Sequence, residues 1–497
     1  LAPTGHDFTP AFTIDESEQG VRPVGRGLIR NDSSGVARNS LRDDLAIMLS
    51  SNQPLAWKSL QKTLIITDKF IIMKNSSYAA FVGIDRSDAS IDLTILDQDT
   101  SYHGHHAISS KPNSLRDWIA SLRKEFPSGQ IALCIEQPCA NLAFFFCQYD
   151  FIDLYLINPS TFKNWREAFQ PSRAKNDKSD SRGIAELVSE SHHKLKVWQA
   201  DNVHTRKLRS LVEARRNFVD MRTKVNNQLV ALLKGYYPEA LDLTGKYLHA
   251  PLACRFLEKW PTLQALKKAS PGEIREFYHL NHSRRASAIE KRLTIIDEAI
   301  PLTDDSAILE ASCLHLTALV NQFDALRKSI ASYDSKIEAL FEQHEDSRIF
   351  ASLPGAGPNL GARLLTFFGT DRSKFTHASA AQNFGGISPV TKQSGNSRVI
   401  HRRYACPKFH RQTFLEWVGQ TITRSIWAKA FFQQQKAKGV SHYSALRALA
   451  YKWIRIIWRC WQDRNTYCEE TYIKALRSTG SPLIPSIDLL IKGGKKL

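Results

Sequence analysis

Hydrophobic residues over residues 79–190 follow first the spacing of β-strands and then that of alternating helices and strands. An apolar run at 80–84 predicts a buried strand, and apolar positions alternate with polar ones over 91–95, as in a half-exposed strand. Further strand candidates are 131–135 and 154–157, and the helix candidates between them are 114–124 and 140–149. Strands followed by helix–strand repeats predict a mixed α/β sheet over this part of the chain.

Residues 191–345 carry apolar residues at helical spacing, interleaved with Arg and Lys. Between 316 and 340 the apolar positions are separated alternately by three and four residues, which is a heptad seam. Such a seam predicts either an antiparallel pair within one chain or self-association of two chains through a coiled coil. The next part begins at residue 346, where Pro and closely spaced Gly predict a helix-hairpin-helix-like turn, Leu353-Pro-Gly-Ala-Gly-Pro-Asn-Leu-Gly-Ala. Its backbone amides can face a phosphate, or it can serve helix packing alone.

These patterns predict five parts. They are an N-terminal extension (1–78), an α/β domain (79–190), a helical assembly region (191–345), a mostly helical domain (346–470) and a C-terminal tail (471–497). The first 72 residues are rich in Gly, Ser, Asp and Arg and show no sustained periodicity, so we expect poor order and no catalytic residue there. They are either a natural extension or sequence that precedes a start at Met73.

The charge balance indicates a polyanionic partner. The 497 residues include 67 Lys and Arg against 49 Asp and Glu, a formal net charge of +18. Nucleic acid explains this surplus better than an acidic membrane does, and no apolar run approaches the roughly 20 residues of a membrane helix. Between Ser388 and Arg464, fifteen Lys and Arg face two acids, interleaved with five tryptophans, Trp417, Trp427, Trp453, Trp458 and Trp461. We interpret this segment as a nucleic-acid-binding surface.

The eight cysteines are scattered and form no CxxC pair. This pattern predicts reduced thiols in a cytoplasmic protein and argues against a structural zinc site.

Four acidic residues have positions that suit metal binding. Asp85 and Glu136 directly follow predicted buried strands, so each carboxylate stands where a strand emerges. Asp177 and Asp180 are three residues apart at the start of a helical stretch and share one helix face. Converging carboxylates would bind Mg²⁺ or Mn²⁺, which assist phosphodiester cleavage. Taken singly, each acid can equally end a strand or cap a helix.

The motifs around these acids resemble those of one transposase family. In the first half they are Phe81-Val-Gly-Ile-Asp85, Cys134-Ile-Glu136, Leu156-Ile-Asn158-Pro159 and Lys175-Asn-Asp177-Lys-Ser-Asp180. In the second half they are Leu353-Pro-Gly-Ala-Gly357, Phe384-Gly-Gly-Ile-Ser-Pro389 and Gln393-Ser-Gly395. The chain is similar, over about 80–465, to DEDD transposases of the insertion-sequence one-ten type, which include Piv-like invertases and bridge-RNA-guided recombinases.

The resemblance implies a RuvC-like (RNase H-like) domain whose metal ligands are Asp85, Glu136, Asp177 and Asp180. It implies that Ser394 is the nucleophile, in a site composed of the serine domain of one subunit and the acidic domain of another. It further implies dimers that pair into a tetramer, donor and target DNA as substrates, a structured bridge RNA as guide, and action in the cytoplasm of a prokaryotic cell. The residues predicted to bind nucleic acid are Lys175, Lys392, Arg398, Arg402, Arg403, Lys408 and Arg411.

Two other functions stay open from the sequence. A nuclease of the Holliday-junction resolvase type would use the four acids and water, and Ser394 would then be incidental. A non-enzymatic architectural protein would bind nucleic acid while its acids merely end strands.

Overall fold

The computed structural model describes residues 78–136, 140–169 and 176–493, and the chain divides into two compact units at residue 200. The expectations for residues 1–77 and for the last four residues lie outside this described part. Among the described helices, none is both long and apolar enough to cross a membrane.

The first unit contains a five-stranded mixed sheet. In chain order its elements are β1 (Tyr78–Arg86), β2 (Ser90–Asp97), β3 (Tyr102–Ser109), α1 (Pro112–Glu125), β4 (Gln130–Glu136), α2 (Ala140–Phe146), β5 (Ile152–Ile157), α3 (Pro159–Phe169) and α4 (Asp177–Ser191). The strand order is β3-β2-β1-β4-β5, with β1, β4 and β5 parallel and β2 antiparallel to both of its neighbours. The predicted α/β domain is therefore a mixed α/β fold, and β3 is a strand that the hydrophobic pattern did not predict.

Helices cover both faces of this sheet. Apolar residues of α1 and α2 pack against one face, and those of α4 pack against the other. The prediction that β2 is half exposed is wrong at Thr94, which is buried and forms a 2.8 Å hydrogen bond between its Oγ1 and Ser181 Oγ. The polar position of the alternating pattern faces α4 instead of solvent.

The second unit is mostly helical. Its α-helices before residue 385 are α5 (Val203–Tyr236), α6 (Ala240–Thr244), α7 (Pro251–Lys259), α8 (Leu263–Lys267), α9 (Pro271–Leu280), α10 (Ala286–Glu298), α11 (Ser306–Glu342), α12 (Ser347–Ala351), α13 (Gly357–Phe368) and α14 (Ala378–Phe384). A hairpin of β6 (Val390–Ser394) and β7 (Ser397–His401) follows. The last helices are α15 (Lys408–Thr421), α16 (Ile426–Ala437), α17 (His442–Gln462), α18 (Glu469–Ser478) and α19 (Ile484–Lys492).

The heptad seam lies on α11 and is closed within the chain. Thr205 near the start of α5 bonds to His344 just beyond α11, and Arg215 pairs with Asp334, so the two long helices run antiparallel. The seam side chains buried inside this unit are Leu316, Leu319, Phe323, Leu326, Ile330 and Ile337. Of the two interpretations left open by the sequence, packing within one chain is the one observed for these side chains.

The tryptophans of the basic segment are core residues. Trp417, Trp427, Trp453 and Trp461 are fully buried, and Trp458 is half-buried. Their indole nitrogens donate to internal acceptors, as Trp461 Nε1 does to the Gly369 carbonyl at 2.8 Å. The interpretation of these tryptophans as part of a nucleic-acid-binding surface is therefore wrong, because they pack the helices that carry the surface cations.

Candidate functional site

Asp85 and Glu136 emerge side by side at one edge of the sheet. Asp85 lies near the end of β1 and Glu136 is the last residue of β4. The two strands are parallel neighbours in which Ile84 pairs with Ile135, the residues directly before the two acids. Both side chains are half-buried. The prediction that each carboxylate stands where a buried strand ends agrees with this geometry.

The other two acids are brought to this edge by the start of α4. Asn176 caps the helix, since its side chain accepts a 2.6 Å hydrogen bond from the Ser179 backbone N–H. Asp177 is the first residue of α4, and Asp180 lies one turn later and is only 4% exposed. The capped helix start thus fixes the direction in which both carboxylates leave the backbone.

Gly83 allows α4 to pack directly on β1. A Cβ atom at this position would lie 2.1 Å from the Ser181 carbonyl oxygen and 2.3 Å from the Ala185 nitrogen. Any other residue would therefore separate the helix that carries Asp180 from the strand that carries Asp85.

The electrostatics of Asp85 indicate that the four acids act on one another. Burial, followed by the negative charges of Asp180, Asp177 and Glu136, raises the pKa of Asp85 from 3.8 to about 6. The four acids that the sequence singled out are therefore near enough for the other three charges to act on Asp85.

Among the described residues, Arg166 on α3 pairs with one of these acids, and it was not predicted from the sequence. Its Nη1 donates to Asp180 Oδ1 at 2.7 Å, and both side chains are largely buried. Its position in the helical pattern is the same as that of an ordinary surface arginine. The one sequence signal for its role is that it follows the Asn158-Pro159 motif closely along the chain.

The donor set fits a hard divalent cation, because all four side chains offer carboxylate oxygens. Within the described residues, no group of three or more His, Cys, Asp or Glu side chains is close enough to hold an ion. One oxygen of Asp180 is engaged by Arg166. The charges of these acids act on one another, and their side chains would have to move to bring their oxygens onto a common ion.

Ser394 lies in the second unit, at the end of strand β6. It pairs with Ser397 across a two-residue turn of Gly395 and Asn396, in which Gly395 has a φ of 54°. A positive φ at the first turn position is favoured by glycine and is typical of a tight β-hairpin. Ser394 and its neighbours in the hairpin are exposed, so its hydroxyl is accessible to a bound molecule.

The predicted nucleic-acid-binding residues fall into two groups. Arg403 donates to the Ser388 carbonyl and to Asn383 Oδ1, and Arg411 donates to the Arg403 carbonyl, so these two arginines stabilise the base of the hairpin. The exposed group is Lys392, Arg398, Arg402 and Lys408. Lys175 lies outside the described residues.

Comparison with known families agrees with this arrangement. A family model of DEDD transposases of IS110 elements matches residues 82–238, and a second model, the transposase IS116/IS110/IS902 family, matches residues 347–433. The mixed five-stranded sheet is consistent with the RNase H-like domain of a DEDD transposase.

Individual relatives share long stretches of the chain. A mini-circle protein of Streptomyces coelicolor, named as a transposase for IS117, is 27% identical over 405 residues, which are 80% of this chain and 97% of the relative. A 43.6 kDa protein of insertion element IS110 from the same organism is 26% identical over 302 residues, 60% of this chain and 73% of the relative. The Coxiella burnetii transposase for insertion sequence element IS1111A is 25% identical over 302 residues, 59% and 68% of the two chains. Over these matched stretches the chain is similar to transposases of the IS110 family.

Proposed function

We propose that this chain cleaves and rejoins DNA strands by a serine nucleophile assisted by a Mg²⁺- or Mn²⁺-binding acidic site. The observation that carries the proposal is geometric: β1 and β4 bring Asp85 and Glu136 to one sheet edge, and α4, packed on β1 at Gly83, carries Asp177 and Asp180. The raised pKa of Asp85 supports it, since the negative charges of the other three acids contribute to the rise. Such a cluster destabilises the folded protein unless cations occupy it, so its presence in a basic, DNA-acting protein favours a metal site.

Asp85, Glu136, Asp177 and Asp180 are the proposed ligands. Mg²⁺ bound there would neutralise charge on the scissile phosphate and assist attack by a hydroxyl. Arg166 holds one Asp180 oxygen in place and leaves the other carboxylate oxygen for a ligand role.

Ser394 is the proposed nucleophile. Its hydroxyl gives up its proton as Oγ forms a bond to the scissile phosphorus. The bond from phosphorus to the leaving sugar oxygen breaks, and that oxygen takes up a proton, so the step is balanced in protons. The product is a phosphoserine ester, so the phosphodiester energy is conserved for rejoining, in which a sugar hydroxyl displaces Oγ. The exposed cations Lys392, Arg398 and Arg402 would neutralise the neighbouring phosphates.

The assembly is part of the same proposal. Ser394 of one subunit would act with the acids of another, in a tetramer built from two dimers. A structured bridge RNA would select donor and target DNA, and the reaction would take place in the cytoplasm of a prokaryotic cell. The net charge of +18 supports a complex with this much nucleic acid.

A trapped covalent adduct tests the serine step. The full chain is incubated with Mg²⁺, labelled donor and target DNA and any copurifying RNA, and denaturant-resistant protein–DNA adducts are then measured. We expect Ser394→Ala to abolish adduct and strand exchange together. Ser397→Ala is the matched control, because it removes the equally exposed serine opposite Ser394 in the hairpin and should retain both. Cleavage by Ser394→Ala at the wild-type rate would refute the serine mechanism and support the nuclease that uses water.

A further inference from the structure

Three exposed tyrosines lie among the cations of the basic segment 388–464. Tyr404 and Tyr443 are 71% and 67% exposed, and Tyr451 is 36% exposed. Tyr443, Arg447 and Tyr451 follow one another at intervals of four residues on α17, so their side chains lie along one face of that helix. Covering such exposed aromatic rings with a flat partner removes apolar surface from water, which is favourable.

Arg402 and Tyr404 contact each other, and both lie within electrostatic range of Arg447 on this helix face. The Arg402 guanidinium carbon lies 4.6 Å from the centroid of the Tyr404 ring. Burial, followed by the positive charges of Arg402 and Arg411, lowers the pKa of Arg447, and Tyr404 acts on the same guanidinium. These five residues, Arg402, Tyr404, Tyr443, Arg447 and Tyr451, are here named the tyrosine surface.

No carboxylate of the basic segment compensates the tyrosine surface. The segment 388–464 has two acids, and both are paired elsewhere. Glu416 binds Arg216 and Arg363 through its two oxygens, and Asp463 binds Arg459. The crowded guanidinium groups of the tyrosine surface therefore favour an anionic partner, and the rings favour a partner with flat faces.

We propose that the tyrosine surface binds an unpaired nucleic-acid strand, whose bases stack on Tyr404 and Tyr443 while Arg402 and Arg447 contact its phosphates. Unpaired nucleotides combine the two required features, because every base offers a π-face next to a phosphate. In a duplex these faces are covered by neighbouring bases, so the rings would add little to duplex binding. The inference rests on the proposed function only in assuming that the chain acts on nucleic acid, and it needs neither metal nor Ser394.

Binding of short oligonucleotides tests the inference. Fluorescence anisotropy with the full chain, without divalent metal, compares an unpaired 12-nucleotide DNA, the same sequence as RNA and the corresponding DNA duplex. We expect Tyr404→Ala and Tyr443→Ala each to weaken binding of the unpaired strand roughly tenfold, the loss typical of one stacked base. Tyr404→Phe and Tyr443→Phe keep the ring and should bind as wild type. Tighter binding of RNA would identify a guide strand as the natural occupant, and tighter binding of DNA would identify a separated substrate strand.

A control tyrosine tests whether position matters. Tyr247 is 56% exposed, and its ring centroid lies 5.3 Å from Lys246 Nζ. It lies in the connection between α6 and α7, outside the basic segment. Tyr247→Ala should leave unpaired-strand affinity unchanged. The inference is overturned if Tyr404→Ala and Tyr443→Ala bind the unpaired strand within twofold of wild type, or if duplex affinity falls equally. Ser394→Ala should bind normally, so failure of the serine mechanism and failure of the tyrosine surface give different results.

Discussion

The contact between Gly83 and α4 can be tested by a single methyl group. In Gly83→Ala the added Cβ would start 2.1 Å from the Ser181 carbonyl oxygen and 2.3 Å from the Ala185 nitrogen. Both atoms belong to the main chain of a helix, so neither can rotate away as a side chain would. Restoring ordinary contact distances near 3.5 Å requires β1 and α4 to separate by at least about 1.2 to 1.4 Å.

This separation has two measurable consequences. Overpacking of this kind typically costs about 1–3 kcal/mol, and we expect Gly83→Ala to cost about 3 kcal/mol because backbone atoms must move. The same shift moves Asp180 away from Asp85. A misplacement of about 1 Å at a reacting centre costs on the order of 10²-fold in rate, so strand cleavage should fall by about that factor.

Urea denaturation and a DNA cleavage assay measure the two effects in parallel. Gly104→Ala is the matched control, because Gly104 lies in β3 of the same sheet and its Cβ would meet only His106 Nε2, at 3.5 Å. The control should unfold and cleave nearly as wild type does. The reasoning is refuted if Gly83→Ala matches Gly104→Ala in both measurements.

Three other variants test the acidic site and the long helix α11. Asp180→Asn should abolish cleavage, because it removes a proposed metal ligand. DNA affinity, measured by anisotropy, should be retained, because losing a negative charge does not weaken contact with phosphate. Full turnover by this variant would contradict the assignment of the four acids. Because the folded pKa of Asp85, about 6, exceeds its unfolded value, metal-free Tm should fall as pH rises from 5 through 6, and Asp85→Asn should flatten this profile. Leu326→Asp should lower the free energy of unfolding by several kcal/mol, whereas Ala325→Asp, on the exposed side of α11, should not. A folded Leu326→Asp variant that merely forms smaller oligomers by light scattering would contradict packing within the chain.

Hydrophobic spacing predicted most elements of the sheet, because buried strands and amphipathic helices leave a local signal. It missed β3, which is an edge strand with three histidines and mostly exposed or half-buried side chains. It also misjudged Thr94, whose burial depends on a helix more than 80 residues away along the chain. The spacing of apolar residues shows which face of a strand or helix is apolar, but it does not show whether a distant element covers the polar face.

The residues of the candidate site likewise differ in whether the local sequence predicts them. Asp85 and the helix start that carries Asp180 were identifiable from local position and motif. Arg166 and the role of Gly83 were not, because an ion pair and a close backbone approach between separate elements leave no local spacing pattern. For the tryptophans, the sequence predicted an exposed role for residues that are buried. Tryptophans interleaved with cations occur both in a core helix with a charged outer face and on a surface that stacks bases, so this pattern does not distinguish the two.

Iron-directed cleavage of the protein chain tests most directly whether Asp85, Glu136, Asp177 and Asp180 form one metal centre. Fe²⁺ replaces Mg²⁺, and added ascorbate and peroxide produce hydroxyl radicals that cut the backbone next to the bound ion, with the cut sites read by mass spectrometry. A shared metal centre predicts cuts in three segments, beside residue 85, beside residue 136 and over 177–180. Excess Mg²⁺ should suppress these cuts and Asp85→Asn should abolish them. Cuts confined to one of these segments, or an unchanged pattern in Asp85→Asn, would contradict a shared metal centre.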